Sequence, residues 1–196
     1  MAQRLHDQYC FLLEIDRLKT VLRQNVLGDQ SRRENSAEHS WHLAVMALCL
    51  EEYAEPGINL LTVTKMVLLH DLVEIDAGDA FVHTPAAQEA QQKKEIAAAQ
   101  RIFALLPADQ GAAFQQLWTE FESGNSPEAR FARVIDKVQP LLLIEATGAV
   151  TWRNYGTTHT QILRKLEFIA KDAPKLWPRI QRVIDDAVAS GALIRD

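Results

Sequence analysis

Residues 65–79, KMVLLHDLVEIDAGD, carry both a helical pattern and a group of titratable side chains. Apolar residues recur along this segment at the spacing of a largely buried helix. His70 and Asp71 follow four apolar residues, Glu74 comes one turn after His70, and Asp79 comes shortly after. On a helix, His70 and Glu74 share a face and Asp71 points about 100° away. Side chains placed in this way can approach one ion from neighbouring directions.

Two further segments, one on each side of residues 65–79, have the same character. Residues 38–50, EHSWHLAVMALCL, contain His39 and become almost wholly apolar after His42. Residues 131–146, FARVIDKVQPLLLIEA, place Asp136 in an apolar helix that Pro140 is expected to kink or locally unwind. A buried histidine needs a hydrogen-bonding partner, and an unpaired buried carboxylate is costly.

One divalent metal ion accounts for the four groups together: His39, His70, Asp71 and Asp136. Imidazole nitrogens and carboxylate oxygens suit Mn, Co, Fe, Ni or Zn, and Mg is possible. A structural explanation stays open for each group alone. His39 can be a satisfied core histidine, and Asp136 can pair with Arg133 or Lys137. A His-Asp dipeptide alone is weak evidence, because it is expected by chance in many chains of this length.

The whole chain favours an all-α fold, because helical periodicity is nearly continuous and strand-like alternation is hard to find. We predict one compact helical bundle over residues 1–196. The predicted helices span residues 8–22, 36–54, 60–76, 88–105, 108–121, 127–149, 158–171 and 174–190.

Local signals predict where two of these helices begin. Residues 28–35, GDQSRREN, read as a polar loop before the second helix. Ser36 is the predicted N-cap of that helix, without a full capping box, because His39 stands three residues later. Ser126 followed by Pro127 predicts an N-cap and a first-turn proline.

Composition excludes several classes of protein. The chain has 26 acidic and 21 basic residues without a basic cluster, so nucleic acid is not an expected partner. Cys10 and Cys49 are expected to be free, buried thiols, and the four tryptophans are expected to pack in the core. The N-terminus lacks the apolar run of a signal peptide, and no segment approaches the length of a membrane span. We therefore expect a soluble, cytoplasmic protein with no membrane partner.

The order H…HD…D of His39, His70-Asp71 and Asp136 resembles the HD-domain metal-dependent phosphohydrolases. The strings RRENSAEHSWH, LLHDLVEIDAGD, LLP followed by LW-x-EFE, and SPEARFARVIDKVQP are similar to the branch that includes the 5'-deoxynucleotidases. This similarity runs from about residue 18 to residue 143 and more weakly to the C-terminus.

The resemblance implies His39, His70, Asp71 and Asp136 as metal ligands. It also implies a role for Glu74 and Asp79 in substrate binding or proton transfer, and for Arg23 and Arg32 in phosphate binding. A tryptophan follows shortly after the arginine in the deoxynucleotidases of this branch, whereas this chain reads Arg23-Gln24-Asn25. By analogy with relatives, a homodimer is expected.

The expected function is therefore a metal-dependent 5'-nucleotidase that releases phosphate from (deoxy)nucleoside 5'-monophosphates. A hydrolase of another nucleotide or phosphoester remains an alternative. So does a non-catalytic helical module that binds a metal or a nucleotide, although carboxylates beyond the four ligands have no evident use in such a module.

Overall fold

The computed structural model describes residues 1–80 and 85–196. The prediction of an all-α fold is confirmed, with the addition of one small hairpin. In chain order the α-helices and strands are α1 (Ala2–Ile15), β1 (Leu22–Val26), β2 (Arg33–Asn35), α2 (Ser36–Cys49), α3 (Leu60–Leu69), α4 (Glu74–Ala77), α5 (Pro85–Phe103), α6 (Ala108–Ser123), α7 (Pro127–Ala146), α8 (Val150–Tyr155), α9 (His159–Leu166), α10 (Ile169–Asp172) and α11 (Trp177–Ala189). Short 3-10 helices occupy Asp16–Thr20, Glu51–Tyr53 and His70–Val73.

The hairpin of β1 and β2 corrects two predictions. Leu22, the predicted end of a helix, begins β1 instead, and the predicted polar loop over residues 28–35 is confirmed only for residues 28–32, because β2 occupies Arg33–Asn35. The strands are antiparallel, with Leu22 opposite Asn35 and Val26 opposite Arg33. Asp29 stabilises the connection, since its Oδ1 accepts hydrogen bonds from the backbone N–H and the hydroxyl of Ser31 at 3.0 and 2.7 Å. Strands this short and polar carry too little apolar alternation to be recognised in a sequence.

Helix α2 begins with a full capping box, which corrects the predicted N-cap by one residue. Asn35, not Ser36, is the N-cap. The Asn35 Oδ1 accepts from the Glu38 N–H at 2.9 Å, and the Glu38 Oε1 accepts from the Asn35 N–H at 3.0 Å. The Ser36 hydroxyl is thereby free to donate elsewhere, to Glu74 at 2.5 Å. The prediction for Ser126 and Pro127 is confirmed.

The predicted helix over residues 60–76 is interrupted. Helix α3 ends at Leu69, the 3-10 helix His70–Val73 follows, and α4 begins at Glu74. A 3-10 helix has three residues per turn, so successive side chains are about 120° apart instead of 100°. The predicted i, i+4 relation of His70 and Glu74 on one α-helical face is therefore not kept, because a 3-10 helix separates the two residues.

Several other helix ends also differ from the predicted ones. Helix α1 begins at Ala2, and the predicted helix 158–171 is divided between α9 and α10. Helix α7 ends at Ala146, just before Gly148 and Ala149, both of which have positive φ (63° and 59°). Pro140 does not unwind α7, which is helical on both sides of it.

Two apolar clusters form the interior. One is built mainly from α2, α3, α7 and the C-terminal helices, and the other from α1, α5, α6 and the segment after α3. Trp118 and Trp152 are buried as predicted, whereas Trp41 is 64% exposed. Cys49 is exposed and Cys10 only half-buried, so the prediction of two buried thiols was wrong, although both are free. In the described part of the chain, no helix is long and apolar enough to cross a membrane.

The capping box makes a first prediction. The Asn35→Ala variant should lose about 1 kcal/mol of unfolding free energy, because Ala cannot satisfy the Glu38 N–H. Chemical denaturation measures the loss. Asn35→Ser, which keeps an oxygen acceptor at the N-cap, should remain close to the wild type. Equal stability of the Ala and Ser variants would contradict a capping role for this side chain.

Candidate metal-binding site

Three parts of the chain bring the two histidines and two aspartates together. Helix α2 supplies His39, the 3-10 helix after α3 supplies His70 and Asp71, and α7 supplies Asp136. All four side chains are buried. Asp136 Oδ1 lies 3.1 Å from His39 Nε2 and 3.7 Å from His70 Nε2. Asp71 Oδ1 lies 3.0 Å from His70 Nε2, and its Oδ2 lies 3.9 Å from His39 Nε2.

The outer nitrogen of each imidazole is held by a hydrogen-bond acceptor. His70 Nδ1 donates to the Val67 carbonyl at 2.9 Å, and His39 Nδ1 donates to Gln139 Oε1 at 2.9 Å. A carbonyl oxygen can only accept, so each Nδ1 carries a proton and each Nε2 can offer a lone pair to the cluster. Among the described residues, His70 Nε2 has no hydrogen-bond partner. Such an arrangement of lone pairs and carboxylates fits a bound cation.

A ligand atom from each of His39, His70 and Asp136 lies within 4.8 Å of the other two, a spacing that one metal ion can bridge. Asp71 lies next to this set, with its two oxygens 3.0 Å from His70 Nε2 and 3.9 Å from His39 Nε2. The donor set of two nitrogens and carboxylate oxygens suits a divalent transition metal. These residues therefore fit the divalent metal ion that the sequence suggested.

The electrostatics of the cluster are dominated by its carboxylates. Burial lowers the pKa of His70, but Asp71 and Asp136 outweigh it and raise the pKa to about 10. Burial would raise the pKa of Asp136, yet Lys137 and the two histidines hold it well below its usual value. A proton on His70 Nε2 and a metal ion are thus alternative sources of the positive charge that this site demands.

Arg23 on β1 places a cation at the cluster. Its side chain is nearly buried, and Nη1 donates to Asp71 Oδ2 at 2.8 Å. The same Nη1 lies 3.9 Å from Glu74 Oε1, and Nε lies 3.7 Å from Glu34 Oε2. Burial disfavours the charged guanidinium, but Asp71 and Glu74 outweigh it and raise the pKa of Arg23. Arg23 therefore remains charged and fixed next to a candidate ligand.

Glu74 and Asp79 lie on the same side of the cluster as Arg23. Glu74 Oε2 accepts from the Ser36 hydroxyl at 2.5 Å. Burial and the charge of Asp71 raise the pKa of Glu74 to about 8. Burial also raises the pKa of Asp79, against the opposing charge of Arg23.

Arg32, the other predicted phosphate-binding residue, is placed differently. Its guanidinium forms a two-pronged pair with Glu38, at 2.8 and 2.5 Å, and half of its side chain is exposed. Lys137, in contrast, donates from Nζ to Asp136 Oδ2 at 2.7 Å. The structure thus brings Arg23 and Lys137 to the cluster and leaves Arg32 on the surface.

The sequence did not single out Glu34 and Gln139, which are both buried beside the cluster. Gln139 Nε2 donates to Glu34 Oε1 at 2.7 Å while its Oε1 holds His39. His42 Nδ1 lies 3.2 Å from the same Nε2. Burial raises the pKa of Glu34 to about 7, against the lowering effects of Arg23 and Gln139. Gln139 follows Asp136 by three residues on α7, which places both on the same helix face. This spacing is the sequence signal from which the position of Gln139 could have been predicted.

A cavity of about 360 Å³ opens beside the cluster. Arg23, Asp79 and Lys137 line one part of it, β1 contributes Gln24 and Asn25 as well, and α7, α8 and α9 supply most of the remaining wall. Such a volume lies within the range of small-molecule sites. The buried cluster is therefore next to a space that a substrate can occupy.

A family model described as "HD domain" matches residues 15–177 of the chain. The chain belongs to the HD-domain family. Its HD-domain fold closely matches a crystal structure described as a predicted metal-dependent phosphohydrolase from Magnetospirillum magnetotacticum. The TM-score is 0.91 at 45% identity, with 97% of this chain and 95% of that chain covered.

Two curated relatives of this HD-domain chain are named as deoxynucleotidases. The human 5'-deoxynucleotidase HDDC2 is 29% identical over 133 residues, which are 67% of this chain and 64% of the human protein. The chain therefore spans just under two thirds of that relative. The 5'-deoxynucleotidase hdd1 of Schizosaccharomyces pombe is 28% identical over 187 residues, with 88% of this chain and 93% of the yeast protein covered.

Gln139 makes a prediction about metal affinity. Gln139→Leu removes the acceptor that holds the His39 Nδ1–H, so the affinity for a divalent transition metal should fall by about 10- to 100-fold. Calorimetric titration of metal-stripped protein with Mn or Co measures this affinity. Circular dichroism of the variant checks that it is folded, and Gln116→Leu, on an exposed position of α6, is the matched control. Unchanged affinity in folded Gln139→Leu would show that this contact does not orient His39.

Proposed function

We propose that this HD-domain protein is a metal-dependent phosphohydrolase that releases phosphate from (deoxy)nucleoside 5'-monophosphates. The observation that carries the proposal is the convergence of two imidazole Nε2 atoms and two buried carboxylates beside a cavity lined by Arg23 and Lys137. The names of the human and yeast relatives, and the description of the bacterial structure, support the same reaction class.

His39, His70, Asp71 and Asp136 would hold the metal. The mixed nitrogen and oxygen ligands favour Mn, Co, Fe, Ni or Zn over Mg, which prefers oxygen ligands alone. When bound, such a cation activates water and neutralises charge on a phosphoryl oxygen. Asp71 has a second role in this arrangement, because its Oδ2 also accepts from Arg23.

Arg23 and Lys137 would bind the phosphate. Phosphoryl transfer depends mainly on positioning and on charge neutralisation, which cations at fixed positions provide. Arg23 Nη1 is fixed by Asp71, and Lys137 Nζ is fixed by Asp136. Both cations line the cavity. A phosphate placed there would meet two positive groups, each tied to a candidate metal ligand.

Glu74 would move a proton. With a pKa near 8, the carboxyl group is poised to hold or release a proton close to neutral pH. The Ser36 hydroxyl donates to Oε2 and orients the carboxyl group, and Oε1 lies 3.9 Å from Arg23 Nη1. Asp79, which lines the cavity, would face the sugar hydroxyls or the leaving group.

The proposed reaction is tested by phosphate release from a panel of deoxy- and ribonucleoside 5'-monophosphates and triphosphates. Metal-stripped protein should be silent, and Mn, Co, Mg, Ni or Zn supplied separately should restore release from monophosphates in order of their suitability for the site. Asp136→Asn should reduce release to background, because it removes a ligand charge. Asp185→Asn, the same change at an exposed position of α11, is the matched control.

Two results would contradict the proposal. Full activity of metal-stripped protein would rule out a metal-dependent reaction. Silence across the panel with tight metal binding would instead support another phosphoester substrate or a binding module.

We also propose that the chain forms a homodimer through an apolar face on α2 and α3. Trp41, Val45 and Leu48 are exposed at positions i, i+4 and i+7 of α2, which places them on one side of the helix. Leu61 and Leu68 are exposed on the neighbouring helix α3. Exposed apolar patches of this kind are typical of protein interfaces.

Light scattering coupled to size exclusion tests the dimer. The wild type should have the mass of two chains. The Leu48→Lys variant should have the mass of one chain, because burial of an unpaired charge in an apolar interface is costly. Leu13→Lys is the control, since Leu13 is exposed on α1, outside the proposed face. A monomeric wild type, or dissociation by the control alone, would overturn this interface.

We further infer a cytoplasmic location. Cys10 and Cys49 are both free, and Cys49 is exposed, as is common in a compartment that keeps thiols reduced.

A further inference from the structure

The cavity beside the metal cluster has two chemically different parts. The first, next to the cluster, contains the charged side chains of Arg23, Asp79 and Lys137. The second extends along α7 towards α8 and α9 and is largely apolar, although Lys165, Thr151 and Thr157 also line the cavity. Its lining includes Leu141, Ile144, Trp152, Ile162 and Leu166. Phosphate and sugar are polar and gain little from contact with an apolar wall. The second part of the cavity is therefore suited to an apolar group on the substrate.

Helix α8 presents two aromatic side chains to this second part. Trp152 and Tyr155 are three residues apart, which places them on one face of the helix, and both line the cavity. Trp152 is buried in the wall, whereas Tyr155 is half-exposed. The cavity thus has one aromatic side chain in its wall and another close to solvent.

Tyr155 is also tied to the strand that carries the phosphate-binding arginine. The Tyr155 hydroxyl donates to Gln24 Oε1, and Gln24 directly follows Arg23 on β1. Both Arg23 and Gln24 line the cavity. This hydrogen bond restricts the position of the Tyr155 ring and places it near the charged part of the cavity.

We propose that the apolar part of the cavity is a nucleobase subsite in which the ring of Tyr155 contacts the face of the base. The inference rests on the proposed function, because the phosphate of the same nucleotide would lie at Arg23 and Lys137. Every nucleobase has a flat aromatic face, and contact with an aromatic side chain needs no base-specific hydrogen bonds. The subsite therefore selects nucleotides over other phosphomonoesters more strongly than it selects among bases.

The test compares deoxyadenosine 5'-monophosphate with 2-deoxyribose 5-phosphate, which has the same sugar and phosphate but no base. Tyr155→Leu should raise KM for the nucleotide about ten-fold, in the range measured for base–aromatic contacts. The effect on KM for the base-free substrate should be less than about two-fold, because that substrate makes no contact with the ring. For both substrates kcat should change little. Tyr155→Phe, which keeps the ring and loses the hydrogen bond to Gln24, should recover most of the nucleotide affinity.

Tyr9→Leu, at an exposed tyrosine of α1 outside the cavity, is the matched control. Calorimetric binding of the same two ligands to metal-stripped protein gives a second readout that does not need turnover, with the same difference of about ten-fold expected for Tyr155→Leu. Equal effects of Tyr155→Leu on both ligands, or no effect on either, would overturn the subsite. Absence of hydrolysis together with selective loss of nucleotide binding would support the subsite and overturn the proposed reaction.

Discussion

The carboxylates of Asp71 and Asp136 lie in the protein interior, where each negative charge must be balanced within a few ångströms. Three kinds of group provide the balancing charge or hydrogen bonds, namely the imidazoles of His39 and His70, the guanidinium of Arg23, and the ammonium of Lys137. These groups come from the hairpin, α2, the 3-10 helix after α3, and α7. The electrostatic constraint therefore ties together elements that are far apart in the sequence.

The interruption after α3 is compatible with the same constraint. Leu69 ends the α-helix, and the 3-10 winding of His70–Val73 sets His70 and Asp71 about 120° apart. Asp71 can then contact both imidazoles with its two oxygens and still accept from Arg23. The full capping box at Asn35 stabilises the first turn of α2, immediately before His39.

The four candidate ligands could be predicted from sequence because each is a titratable side chain in an apolar helical context, which is physically costly without a partner. The surrounding residues gave weaker signals. Glu34 lies in a short polar strand, so its burial depends on a hairpin that no periodicity indicated. Arg23 and Arg32 both lie in the hairpin region. The pairing of β1 with β2 determines that Arg23 is nearly buried and Arg32 is exposed, and the sequence does not show that pairing. The longer helices were predictable, although not their exact ends, whereas the hairpin and the 3-10 turn depend on tertiary contacts.

The hairpin also links the two parts of the cavity, and this link has a consequence for recognition. Arg23 would hold the phosphate, and the next residue, Gln24, accepts from Tyr155 at the proposed base subsite. The aromatic ring at this subsite comes from α8, and β1 supplies only the side-chain amide of Gln24. An aromatic side chain anchored by a hydrogen bond loses little conformational freedom when a base binds, which favours affinity. Substrate selection in this chain would then depend on contact between β1 and α8 as much as on the metal ligands themselves.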